Sequence, residues 1–363
     1  MKENVKKLRK VPVGCIHAGM RLPDDLYSRD GKALLIRAGE TVTEETIARL
    51  NKMGAKDNYV MTYETSCRVI YGGEAESAEQ RQQRAEDAVG YTELKEEVQN
   101  LLTRITEAAE SGFQETEIVA SAVISKISST ELGELLRCID TPRQMDEGLQ
   151  RHSLNVALLN GMMAHWMHFS KIDVSRIVVG GLLHDVGKTL IPVEILTAAR
   201  GLTAEEREVI KQHPVYSYDI VHKSFDSNVC DVVRHHHEKL NGSGYPDGLA
   251  GDEISLFARI TAIADVYDAM VSARSYKASR LPFDILDQMV QGEFKGLDQH
   301  LTAVFVRNMK HVFKKSQVVM VDGSVGVVAY IPPNDISHPI VITERGPRQT
   351  DERWYCSEVA GIF

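Results

Sequence analysis

Apolar residues fall at Leu94, Val98, Leu101, Leu102 and Ile105, a helical spacing that predicts a long helix leading into the middle of the chain. The stretch before it, GGEAESAEQRQQRAEDAVG, is charged and Gln-rich and reads as a linker. The apolar stripe fits either packing on neighbouring helices or pairing with a second copy that passes signals onward, and periodicity does not separate the two. Upstream, between Val11 and about Val69, short apolar runs alternate with turn signals. Asp30-Gly31, between Leu26-Tyr27 and Leu34-Leu35-Ile36, predicts a hairpin, and TVTEETIARLNKMG predicts a capped amphipathic helix stopped by Gly54. From about Leu132 to Phe313 nearly every segment has helical spacing, with loops at Gly, Pro and His. Beyond it, SQVVMVDGSVGVVAYIPP predicts two strands around Asp322-Gly323, and HPIVIT and RWYCSEV predict further strands.

These elements predict a mainly α chain of four parts. They are a small N-terminal α/β accessory or regulatory domain at 1–74, a linker and helical connector at 75–137, an all-helical domain at 138–315 and a small β appendage at 316–363. Hydrophobic residues at 43% and charged residues at 26% are those of an ordinary globular protein, and 363 residues suffice for a sizeable core. A net charge of -9 argues against polymeric nucleic acid or an anionic membrane as partner, so an anionic ligand must meet a local cationic site. No segment approaches the roughly 18 apolar residues of a membrane span. Five scattered cysteines without a C-x-x-C pattern predict neither a disulfide framework nor a thiolate zinc site, and the expected location is the cytoplasm.

The helical block concentrates residues that bind metals. RHHHEKLNGSGYPDG, from Arg234 to Gly248, places three histidines and a glutamate before a glycine-rich turn. His152 stands in QRHSLNV, His184-Asp185 in GLLHDVGK, His213 in KQHPVYS and Asp265 in AIADVYDAM. Each falls at a helix end or on an otherwise apolar helix, where an unpaired charge costs several kcal/mol, and convergence with His236 and His237 on a metal removes that cost. Imidazole and carboxylate without thiolate suit iron or manganese, with zinc left open by residue type. A lone histidine on an apolar helix is more often a satisfied core residue, and His165, His168, His222, His300 and His311 keep that reading.

The ordered set HS..V, HDVGK, HP, HHE...GSGYPDGL, ARI.AIADVYDAM and R.YK resembles the HD-GYP branch of the HD-domain metal-dependent phosphohydrolases, over about Asp140 to Lys310. The resemblance implies a helical domain that holds two divalent iron- or manganese-class ions and hydrolyses cyclic di-GMP to pGpG, with onward cleavage to GMP open. Carried over by motif, His152, His184, Asp185 and Asp265 hold one ion, and Asp185 bridges to a second held by His213, His236 and His237. Two ions sharing a water lower its pKa, supply a hydroxide nucleophile and screen the phosphodiester it attacks in line.

Lys188 is similar to the family lysine that contacts the scissile phosphate, and Arg274 and Lys277 resemble positions that clamp the ligand's phosphates. Tyr245 looks like the family tyrosine beside the substrate, brought to face the metals by the turn Gly242-Ser243-Gly244. His235 is surplus to the ligand pattern and reads as structural. Glu238 reads as an orienting partner for a ligand imidazole. Members with a third ion carry a glutamate where this chain has Gly148, and Glu147 is out of helical register, so two ions are expected. Ser217 and Ser275 stand where the family often has Gly and Pro. A homodimer through the long helix and protein partners on the HD-GYP surface are further implications. Two rival readings stand beside this one: a slow cyclic di-GMP receptor or scaffold, and a hydrolase of another cyclic dinucleotide.

Overall fold

The computed structural model describes residues 8–12, 25–29, 32–38, 40, 42–53, 59–63, 78–107, 109–129, 135–136, 139, 148–198, 200–272, 282–314, 316–320, 325–343, 346–349 and 359–362. It is mainly α-helical, with short strands toward both ends. In chain order the first part has β1 (Leu8–Pro12), β2 (Leu26–Tyr27), β3 (Leu34–Ile36), α1 (Glu44–Met53) and β4 (Tyr59–Tyr63). β2 and β3 pair antiparallel, as the hairpin reading requires, and β1 pairs antiparallel with β4. Helix α1 ends at Met53; Gly54 lies outside the described residues.

The central part begins with α2 (Ala78–Glu107) and α3 (Ala109–Ser129). Helix α2 therefore starts well inside the stretch read as a linker. Ala, Glu, Gln and Arg are strong helix formers, and they extend the helix without an apolar stripe to announce it. Leu94, Val98, Leu101, Leu102 and Ile105 are all buried within the single chain, where α2 packs against α3 and the next long helix.

That next helix, α4 (Gly148–Trp166), is the core of the helical part: every residue from Arg151 to Ala164 is buried. A helix enclosed on all sides must satisfy its polar groups internally. Asn160 does so by donating to the carbonyl of Ile177 at 3.0 Å and to Thr261 Oγ1 at 2.9 Å. These bonds knit α4 to α5 (Lys171–Leu183) and to the later helix that carries Thr261.

Beyond α5 a 3-10 turn spans Val186–Leu190, followed by α6 (Val193–Leu196), α7 (Ala204–Ile210), α8 (His213–Val221) and α9 (Ser227–His235). Side-chain caps fix several helix starts: Ser170 accepts from the Asp173 amide, Thr203 and Glu206 form a reciprocal capping box, and Asp226 accepts from Asn228 and Val229. Helices α10 (Leu256–Ser272), α11 (Pro282–Val290) and α12 (Gln299–Phe313) complete the part.

The last segment forms a five-stranded antiparallel sheet of order β8-β7-β6-β5-β9, from β5 (Gln317–Met320), β6 (Val325–Tyr330), β7 (Ile340–Thr343), β8 (Gly346–Gln349) and β9 (Val359–Ile362). The first three strands follow the sequence reading, while most of RWYCSEV lies outside the described residues. Strand β8 was not expected, since Gly-Pro-Arg-Gln has no alternating pattern. It is an edge strand, where proline is tolerated.

The chain divides into two compact units. Glu74–Lys314 with Pro333–Ser337 form one; Met1–Gly73, Lys315–Pro332 and His338–Phe363 form the other. No helix among the described residues is long and apolar enough to cross a membrane.

Candidate metal centre

The ligand-type residues sit where helices of the large unit begin, end or run side by side. His152 lies in the second turn of α4, His184 caps the C-terminus of α5, and Asp185 opens the 3-10 turn that follows. His213 is the first residue of α8, His236 caps α9 and His237 follows it, while Asp265 lies within α10. Gly187 permits this assembly: a Cβ there would fall 2.2 Å from the carbonyl oxygen of His213 and 2.5 Å from the amide of Ser217. In its place the Gly187 N–H donates to Ser217 Oγ at 2.7 Å, so Ser217 ties the HD turn to α8.

Seven side chains distant in sequence meet. Asp185 lies between two groups, one of Asp185, His213, His236 and His237, the other of His152, His184 and Asp185, and within each group the candidate ligand atoms all lie within 4.8 Å of one another. Asp185 Oδ2 is 3.4 Å from Nε2 of both His152 and His184, whereas Oδ1 is 3.1 Å from His213 Nε2 and 3.8 Å from His236 Nε2. Asp265 spans the two groups, with Oδ1 3.1 Å from His152 Nε2 and Oδ2 3.6 Å from His237 Nδ1. Atoms each about 2.1 Å from a common ion lie roughly 3–4 Å apart, and these separations are of that size.

The hydrogen bonds behind the rings fix which nitrogens face inward. His184 Nδ1 donates to the Gly181 carbonyl at 2.8 Å, His213 Nδ1 to Ile210 at 2.7 Å and His236 Nδ1 to Val233 at 3.1 Å. With Nδ1 as donor, each neutral ring presents an Nε2 lone pair to the centre. His152 Nδ1 donates in the same way to Asp268 Oδ2 at 2.6 Å. The Nε2 atoms of His152 and His184 then face each other at 3.2 Å, and those of His213 and His236 at 3.4 Å. Asp185 Oδ1, fully buried, has no hydrogen-bond donor aligned on it. Converging lone pairs around an unsatisfied carboxylate oxygen form a set that fits cations and fits no hydrogen-bond network of the neutral rings.

The electrostatics agree. Burial lowers the pKa of His184, and burial with the neighbouring rings holds His236 well below its ordinary value. Burial takes His237 down to about 3. His152 goes the other way: burial opposes its charge, but the Asp265 and Asp268 carboxylates raise it to about 9. Against the cost of burial, Lys188 and His184 hold Asp185 ionised well below the usual carboxylate range, and His152 does the same for Asp265. The cavity attracts positive charge but cannot distribute protons over all its rings, a condition that compact multivalent ions satisfy.

The GYP turn closes one side. A Cβ at Gly244 would meet Glu238 Cα at 2.4 Å, so only glycine lets the loop lie against the end of α9. Tyr245 is thereby set beside His237, with ring centroids 4.8 Å apart. Burial and the Asp265 and Asp185 charges raise its phenol pKa, which keeps the O–H as a donor. Lys188 reaches Asp185 Oδ2 at 2.5 Å and is partly exposed.

Glu238 differs from its expected role. It does not orient an imidazole; its Oε1 accepts from the amides of Asp247 and Gly248 at 2.7 and 3.0 Å and holds the turn. The loop is held again from outside by Arg234, bidentate to Asp247, and by His235, which bridges Asp231 and Asp247. The orienting carboxylate is Asp268, which the sequence reading passed over; it stands one turn after Asp265 on the same helical face, the signal that would have marked it. Arg274, Ser275 and Lys277 lie outside the described residues, as does Glu147. Gly148 is the first residue of α4, with open space where a side chain would project.

Residues 139–301 match the model of the HD domain family. This stretch is an HD domain. Over 194 residues the chain is 34% identical to the cyclic di-GMP phosphodiesterase response regulator RpfG of Xanthomonas campestris, covering 51% of this chain and 50% of that protein. Over 129 residues it is 40% identical to the 3'3'-cGAMP-specific phosphodiesterase 2 of Vibrio cholerae, covering 35% of this chain and 25% of that one. The match thus spans about half or less of the length of these relatives. Among solved structures, Bd1817, an HDG"Y"P protein from Bdellovibrio bacteriovorus, superposes with a TM-score of 0.52 at 17% identity, over 84% of this chain and all of that one, a likeness of fold. The matched residues include all seven side chains that meet here, and Asp185 is the member common to the two groups.

Proposed function

We propose that the chain is a cyclic dinucleotide phosphodiesterase that opens cyclic di-GMP to linear pGpG at a two-metal centre in its HD domain. The observation that carries this is Asp185, whose two carboxylate oxygens face two separate histidine groups. In this reading His152, His184 and Asp265 hold one ion, His213, His236 and His237 the other, and Asp185 serves both. Two ions, when bound, supply Lewis-acid screening of a phosphodiester and a water of lowered pKa. Iron or manganese fits the donor set, with zinc as the alternative.

The remaining roles belong to the chain's own side chains. Lys188, paired with Asp185 and partly exposed, is placed to turn its ammonium to a phosphate oxygen once cations take over the Asp185 charge. Tyr245, protonated and half-buried beside His237, offers a ring face for guanine or an O–H for phosphate. Arg274 and Lys277 remain proposed phosphate contacts. The rings of His184, His236 and His237, held neutral by their environment, keep their lone pairs available at physiological pH.

Relatives named for cyclic di-GMP and for 3'3'-cGAMP support a cyclic dinucleotide as substrate, and the latter favours a second reading in which a mixed guanine-adenine ring is the better substrate. Protein loaded anaerobically with Fe(II) or Mn(II), incubated with each dinucleotide and followed by chromatography, decides. Many equivalents of pGpG support the primary reading, and faster loss of cGAMP supports the second. Tight binding of either without turnover contradicts both and leaves a receptor.

A further inference from the structure

A buried line of polar side chains runs from the long helix α2 to the HD domain's candidate metal centre. Tyr91 on α2 donates its O–H to Asn155 Oδ1 at 2.5 Å. Asn155, one turn after His152 on α4, donates through Nδ2 to Asp268 Oδ1 at 2.6 Å. Asp268 on α10 accepts on its other oxygen from His152 Nδ1, also at 2.6 Å. Asn155 and Asp268 are fully enclosed, and Tyr91 and His152 nearly so, at 7% and 8% exposure.

The directions of these bonds are consistent with one another. The carboxylate can only accept, so it takes the imidazole proton on one side and the amide proton on the other. With its nitrogen committed, the Asn155 amide must present oxygen to α2, and the phenol supplies the matching donor. Removing Tyr91 takes away the donor to the buried Asn155 Oδ1, and removing Asp268 takes away the acceptor for Asn155 Nδ2 and His152 Nδ1, each at a cost set by desolvation. A purely packing role for the same volume would be met by apolar side chains without that exposure to loss. The line also ends on one ligand's non-coordinating nitrogen, the atom through which an outer partner sets a ring's tautomer and orientation.

We propose that Tyr91, Asn155 and Asp268 act as a positioning relay that holds the His152 imidazole facing the centre and ties the ion affinity of that site to the seating of α2. This rests on the reading of His152 as a metal ligand. A displacement of α2 by about an ångström takes the phenol beyond hydrogen-bond range and strands the Asn155 carbonyl. The His152 site then weakens although no ligand has changed. Helix α2 is the segment that leads from the N-terminal residues into the helical unit, so a change there has a physical route to the chemistry.

The test measures Mn(II) affinity of the full chain by equilibrium dialysis with elemental analysis, alongside circular dichroism, for wild type, Asp268→Asn, Tyr91→Phe and Val98→Ala. Val98 is buried on the same helix, and Val98→Ala controls for a general loss of stability with α2 still seated and every hydrogen bond of the relay kept. Loss of the orienting partner in Asp268→Asn is expected to weaken one of the two ions by about 10–100-fold, and Tyr91→Phe by about threefold or more. Val98→Ala is expected to stay within about twofold of wild type. Wild-type affinity in Tyr91→Phe, or equal weakening in Val98→Ala, overturns the relay while leaving the metal centre intact. Absence of ion uptake by wild type removes the metal centre and the relay with it.

Discussion

His152 is the residue whose charge reports most directly on the centre. Its pKa near 9 lies above the ordinary value of about 6.5, so in the metal-free chain its proton stabilises the fold fully below pH 6.5, and that contribution is lost as pH rises through 9. A bound ion needs the same ring neutral at Nε2 and must displace that proton. Mn(II) binding at pH 7.5 is therefore expected to release about one proton per chain, fading above pH 9, as read by calorimetry in buffers of different ionisation enthalpy. Binding at pH 7.5 without proton release contradicts the placement of His152 on an ion. Lys188 gives a second residue-scale expectation. Lys188→Ala should lower kcat on cyclic di-GMP by about 100-fold at unchanged metal content, since it removes an electrostatic contact to phosphate but no ligand. Loss of metal in this variant would reassign the lysine to holding Asp185. The residues that converge at the candidate centre were legible in the sequence because each stands in a short local motif. The groups behind them were not, since Asp268 and His152 are 116 positions apart and Tyr91 and Asn155 are 64 apart.

At the scale of elements, the centre depends on how closely the HD turn and α8 approach. Gly187→Ala would push a methyl group into the His213 carbonyl and the Ser217 amide, and backbone rather than a flexible side chain stands in the way. The expected result is a loss of about 2–3 kcal/mol in denaturant unfolding, with the ion on the His213 side lost before the other. A variant that keeps full stability and metal content would show that this approach is not needed. The end of α1 was readable from the glycine that follows its last residue, Met53. The start of α2 was not, because residues of high helix propensity without an apolar stripe look like a linker to any periodicity argument. Strand β8 escaped for the opposite reason: its pairing with β7, and no pattern of its own, makes it a strand.

For the whole molecule, the fold class was legible and the grouping of its parts only partly so. Mainly helical content with β-rich ends follows from local pattern. The assignment of Met1–Gly73 to one compact unit with Lys315–Pro332 and His338–Phe363 follows from long-range contacts that no local pattern encodes. The candidate ligands come from α4, α5, α8, α9 and α10 and the turns between them, so metal binding should stabilise the larger unit as a whole. Mn(II) at 100 times its dissociation constant is expected to add about 2.7 kcal/mol, a rise of about 5 °C or more in the midpoint of that unit, reversed by chelator. A midpoint indifferent to metal and chelator would mean that the buried ligands are satisfied without ions.

Asp185 is where these scales meet, and the most direct measurement is the metal content and cyclic di-GMP turnover of wild type and Asp185→Ala, purified side by side under anaerobic conditions with the fold checked by circular dichroism. The account predicts about two ions per wild-type chain with pGpG formed, and a folded Asp185→Ala chain with close to none of either. A folded variant that keeps both ions, or still turns over the dinucleotide, would contradict it.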